Sequence, residues 1–132
     1  MAWRPGDLNA MFERLIHEPF ASQYNVQILS SPSTTPEGAP YVIQLEDVIS
    51  EEEASGLIAA ANKDGYDGDR LFHAKFRTAK IATCQDECYR DEVVQRVSER
   101  IHSLTGFHDS NCEYLHLPRY VVSTVRTVFP HH

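Results

Sequence analysis

Between Val93 and Gly106 apolar side chains return at helical spacing: Val93 or Val94, then Val97, Ile101 and Leu104. One stripe of a 3.6-residue helix holds them all, and Gly106 stands where a helix ends on a left-handed residue. A buried helix is predicted there, so the rest of the chain must offer an apolar surface to cover that stripe. The nearest candidate follows directly. Asn111 to Leu117 reads as a strand with Cys112, Tyr114 and His116 on one side. Pro118 has no amide hydrogen, which predicts an edge position or a bulge.

Upstream, Leu8, Met11, Phe12, Leu15 and Ile16 recur at helical spacing behind an Asp7 that can serve as N-cap. A packing helix is expected. The stretch Ser30 to Pro40 is rich in Pro, Ser and Gly and has no apolar period, so it reads as a loop or linker. Tyr41, Ile43 and Leu45 alternate with Val42 and Gln44, the pattern of a half-buried strand. Ser50 and Glu53 then form a capping-box pair at the start of a helix with Ala54, Leu57, Ile58 and Ala61 as its buried stripe and Gly65 at its end. Residues 65–69 are turn-rich, and a second strand is expected from about Thr78 to Thr83.

A chain of 132 residues fits one small domain with a core of its own. Nineteen acidic side chains against twelve basic ones leave a formal charge of −7, which excludes nucleic acid as the expected partner, because binding a phosphate backbone needs a concentrated basic face. No apolar run approaches the roughly 18 residues that a membrane span requires. Met1 to Asp7 shows no apolar h-region and no small-residue cleavage site, so no secretory signal is expected.

Cys84 and Cys88 lie one helical turn apart, at the long end of what a disulfide tolerates. Two buried thiols are the first expectation, and a disulfide or a zinc site completed by Cys112 and a His are the alternatives. His17, His73, His102 and His108 are scattered without ligand spacing, and surface or capping roles are expected of them. There is no Gly-rich phosphate loop and no G-x-S-x-G elbow.

Several segments in order carry a resemblance. Pro40 to Glu53 contains an opening strand and an Asp-x-hydrophobic-Ser-x-x-Glu turn into a helix. Arg77-Thr78-Ala79, the pair Cys84 and Cys88, Asp91-Glu92-Val93-Val94-Gln95-Arg96-Val97-Ser98-Glu99-Arg100-Ile101, Leu104-Thr105-Gly106 and Glu113-Tyr114-Leu115-His116-Leu117-Pro118-Arg119-Tyr120 follow. In this order they resemble the N-terminal part of the prolyl 4-hydroxylase-like, iron(II)- and 2-oxoglutarate-dependent dioxygenases. The resemblance divides the chain into an N-terminal helical segment (1–29), a linker (30–40), the N-terminal part of the dioxygenase-like domain (41–121) and a divergent tail (122–132). It implies an α+β fold: the helices and strands that flank a double-stranded β-helix, or jelly roll, with the barrel incomplete.

The resemblance also implies chemistry. The family hydroxylates peptidyl proline with Fe(2+), 2-oxoglutarate and L-ascorbate, and its facial triad of two His and one carboxylate leaves adjacent positions for co-substrate and oxygen. Tyr120 matches the Tyr of the family's Arg-Tyr pair at the 2-oxoglutarate pocket, with a core strand aromatic as the plain alternative. His131 matches the first metal His once a short insertion after Tyr120 is allowed, with a solvated tail as the alternative. Arg77 and Arg119 are expected in structural ion pairs. No His-x-Asp occurs in residues 1–132, so the expectation is a truncated, inactive form, or a non-catalytic fragment that pairs with itself or other subunits through an exposed strand edge. The family would place the activity in the endoplasmic reticulum and give it a proline-containing polypeptide as substrate. Val121 to Phe129 lacks the family's Gly-Gln-x-Tyr, and Val122-Ser123 is what a splice-donor sequence encodes. The tail is read as intron read-through, or as a divergent strand.

Overall fold

The computed structural model describes residues 3–33, 38–66 and 79–120. In chain order these form α1 (Asp7–Leu15), α2 (Phe20–Gln23), β1 (Gln27–Ser30), β2 (Val42–Gln44), α3 (Glu51–Asp64), β3 (Ala79–Thr83), α4 (Glu87–Arg90), α5 (Glu92–Thr105), a 3-10 turn (Asp109–Asn111) and β4 (His116–Tyr120). Helices alternate with two small antiparallel sheets, β1–β2 and β3–β4, an α+β arrangement. Two compact units divide the chain: residues 1–50 with 100–111, and residues 51–99 with 112–132.

In the first unit Met11, Leu15 and Leu104 are buried together, with Phe12, Tyr24, Ile43 and Leu45 among the side chains packed on them. Arg4-Pro5-Gly6-Asp7 makes the turn into α1, Asp7 N–H donating to the Arg4 carbonyl at 3.0 Å while Gly6 takes φ 96°. Pro in second place and a left-handed Gly in third is what such a turn favours. Gly6 is consequently the N-cap, and the expected Asp7 cap is corrected. Asp7 is the first helical residue, and its carboxylate reaches back to accept the Arg4 amide at 2.7 Å. The α1 stripe is also narrower than expected, for Leu8 is 51% exposed.

The Pro/Ser-rich segment joins the two strands of a hairpin. β1, within the stretch expected to be helical, pairs Ile28 with Ile43 and Gln27 with Gln44, and a bulge at Leu29 shifts the register before Ser30 meets Val42. The Ser30 hydroxyl donates to the Pro40 carbonyl at 2.8 Å and closes the connection. Tyr41, Ile43 and Leu45 turn inward and Val42 and Gln44 outward, as their alternation predicts. At the far end of this unit Gly106 takes φ 76° and its amide donates to the His102 carbonyl at 2.8 Å, the expected end of α5.

In the second unit Ala60, Cys84, Cys88 and Val94 form the buried centre, and Leu57, Leu115 and Leu117 pack against it. Val94 and Val97 are each only 1% exposed, as the α5 stripe requires. Burying such a side chain contributes about 1.5–3 kcal/mol. Asp91 caps this helix, its Oδ1 accepting the Val93 amide at 2.9 Å, and Lys63 pairs with the other carboxylate oxygen at 2.9 Å.

The face that α3 buries differs from the expected one. Ala54 and Ile58 lie outward, Ile58 being 60% exposed, while Glu53, Gly56, Leu57, Ala60 and Ala61 turn inward. Two contacts choose this face. A Cβ on Gly56 would stand 2.9 Å from Val93 Cγ1, so only glycine admits that approach, and Glu53, 7% exposed, accepts the Arg96 Nε at 3.0 Å.

The last strand is shifted by several residues from its expected span. It runs His116–Tyr120, and Asn111 to Tyr114 lie outside it. Leu115 and Leu117 face the core and Tyr114 and His116 face out.

Candidate functional site around strand β4

Everything that positions β4 converges on the loop between β3 and α4. Cys84 and Cys88 form a disulfide, with Cα atoms 5.0 Å apart, and both are fully buried. The two cysteines are buried as expected, but as the disulfide alternative and not as thiols, and Cys112, exposed and unpaired, does not join them in a zinc site. Asp64, the last residue of α3, reaches into this loop. Its Oδ2 accepts the amides of Gln85 at 3.0 Å and Asp86 at 2.9 Å, and its Oδ1 accepts that of Cys88 at 3.2 Å. These donors, the Asp86 amide foremost, hold the carboxyl below its ordinary value. A single side chain thus accepts three amides at the entry to α4.

The chain then passes this order to β4. The Cys84 amide donates to the Leu115 carbonyl at 2.9 Å, and β3 pairs with β4 from Thr83–His116 to Ala79–Tyr120 without a shift. Tyr89 of α4 meets Tyr114 edge to face at 5.4 Å. The site residue expected on this strand, Tyr120, is 61% exposed at its end and does not pack in the core. Its neighbour Arg119 makes no ion pair among the described residues, and its guanidinium lies 6.0 Å from the centre of the Tyr66 ring. His116 stands 3.7 Å from Glu113 on the exposed face.

Other expected residues are not brought together here. His131, His132, Arg77, His73 and the tail 122–132 lie outside the described residues. In the first unit His17 donates to the Glu13 carbonyl at 2.6 Å, His102 stands 3.9 Å from Asp109 and His108 bonds Ser110 at 2.8 Å. These are local surface partnerships.

An iron site of the expected kind needs three convergent ligands, and no group of His, Cys, Asp and Glu able to hold a metal ion occurs among the described residues. Those residues do not fit the metal, and no chemical step is assigned to it. What the arrangement does offer is a short strand with a rigid base, where a disulfide and a carboxylate anchor one end and a tyrosine is held exposed at the other. Sequence reading missed Asp64 and Asp91, although an Asp one residue before a helical stripe is a cap signal that points to Asp91. None of the described helices is long and apolar enough to cross a membrane. Compared with family models, curated proteins and solved structures, the chain matches none.

Proposed function

We propose that the chain serves iron(II)-, 2-oxoglutarate- and ascorbate-dependent 4-hydroxylation of peptidyl proline as a supporting part, supplying helices and first strands that flank a double-stranded β-helix, with Tyr120 as its contact to 2-oxoglutarate. The observation that carries this reading is β4. The Glu113 to Tyr120 segment, the last of those that carry the resemblance, folds with Leu115 and Leu117 inward and leaves Tyr120 exposed at the strand end. A tyrosine so placed can donate its hydroxyl to a carboxylate. Self-pairing through the sheet edge, the competing reading, has exposed Tyr114 and Tyr120 in its favour and Pro118 on the edge against it.

The test is titration of the 132-residue polypeptide with 2-oxoglutarate, followed by amide NMR, together with an assay of succinate release in the presence of iron(II) and ascorbate. Signals from His116 to Tyr120 should shift, the shift should vanish in Tyr120→Ala, and no succinate should appear above a no-protein blank. An undisturbed β4 would remove Tyr120 from the co-substrate site. Succinate release abolished by His131→Ala would make the polypeptide a catalyst in its own right.

A further inference from the structure

We propose that the Cys84–Cys88 disulfide is a redox-sensitive latch for β4: the oxidised pair keeps residues 84–88 in the tight loop that Asp64 grips, and two-electron reduction by a dithiol releases that loop and the strand bonded to it. Three features of the second unit converge on this. Both sulfurs are fully buried at the centre of the cluster, in contact with no solvent. The amides of Gln85, Asp86 and Cys88 all point at one carboxylate, an arrangement that survives only while the loop stays closed. The Cys84 amide is hydrogen-bonded to Leu115, and Leu115 and Leu117 rest on the disulfide cluster itself.

Reduction changes the volume these atoms need. A dithiol donates two electrons and two protons, the Sγ–Sγ bond breaks, Cys84 and Cys88 become thiols, and the reductant closes to its own disulfide. Two unbonded sulfurs must then stand a full van der Waals contact apart. Ala60 and Val94 are at most 1% exposed around them, so the core has no slack to absorb that separation. The loop must widen, the amides leave Asp64, and the Cys84–Leu115 bond goes with them. Because the sulfurs are buried, a reductant reaches them only through local opening, so the latch stays shut until the loop breathes. Cys112, exposed and unpaired, stands outside this device. None of this depends on what Tyr120 binds.

Alkylation of thiols and amide hydrogen exchange, measured on the full chain before reduction with dithiothreitol, after it and after reoxidation, test the proposal. The oxidised chain should take one label, at Cys112, and the reduced chain three. On reduction, protection at Gln85, Asp86, Cys88, Leu117 and Arg119 should fall by about tenfold or more while the β1–β2 amides keep theirs, and reoxidation should restore it. Unchanged protection in the reduced chain overturns the latch. So does simultaneous loss across β1–β2, which would make the disulfide a general stabiliser. Asp64→Asn should take one label yet lose protection at the same three loop amides, and full protection in that variant would show that the carboxylate is not the grip.

Discussion

The amide of Cys84 donates to the carbonyl of Leu115 at 2.9 Å, and this bond sets the phase of the β3–β4 ladder. Hydrogen-bonded pairs alternate with unbonded ones along antiparallel strands, so Ala82–Leu117 and Lys80–Arg119 are bonded pairs while Ile81–Pro118 is not. The nitrogen of Pro118 therefore points away from β3, toward the edge of β4 that no other strand among the described residues covers. The proline costs the sheet no bond and removes a donor from the side another chain would approach.

Pro118→Val should leave the β3–β4 pairing intact and change stability by less than about 1 kcal/mol. It restores a donor on the edge that faces away from β3, so sedimentation should show more self-association than in the unaltered chain. An equal or smaller oligomer fraction would mean that Pro118 does not guard the edge.

Gly56 faces Val93 so closely that an added methyl must displace a β-branched, stiff side chain. Gly56→Ala should destabilise by about 1–3 kcal/mol through overpacking, despite the better helix propensity of alanine. In a Val93→Ala background the cost should shrink, because both Cγ atoms are gone and only the Cβ at 3.2 Å still crowds position 56. Thermal unfolding of the four proteins in this cycle checks it, and equal costs in the two backgrounds would refute the contact.

Val97 is 1% exposed on α5. An unpaired carboxylate there costs several kcal/mol, so Val97→Asp should abolish the thermal transition of the second unit, whereas Val97→Ala should lower its stability by roughly 1–3 kcal/mol. A retained transition in the Asp variant would refute the burial of this face.

Asp64 and Lys63 give the second unit a pH window. The Asp64 carboxyl is held below its ordinary 3.8 by the amides it accepts, so its contribution is present above that value and is lost as pH falls through the lower folded-state value. Lys63 is raised above its ordinary 10.5 by the hydrogen bond to Asp91, so its contribution is present below 10.5 and is lost as pH rises through the higher folded-state value. Amide protection at residues 85, 86 and 88 should be level across the neutral range and collapse on the acid side. In Asp64→Asn it should be lower throughout and lose that acid step, which exchange measured against pH will show.

Local chemistry alone was enough for part of this protein. The α5 stripe at Val94 and Val97, the glycine ends at Gly65 and Gly106 and the alternation from Tyr41 to Leu45 are written in spacings of a few residues, and each appears where those spacings place it. Tyr120 was legible as a residue to watch, but its exposure at the end of a paired strand was not. Partners distant in sequence decided the rest. Val93 and Arg96 chose which face of α3 is buried, Gln44 and Ile43 made a strand of Gln27 and Ile28, and the disulfide with Asp64 fixed where β4 begins. A helix or strand knows its own period from its sequence, but the phase of that period against the core is set by whichever surface arrives to cover it, and only the tertiary structure brings that surface in.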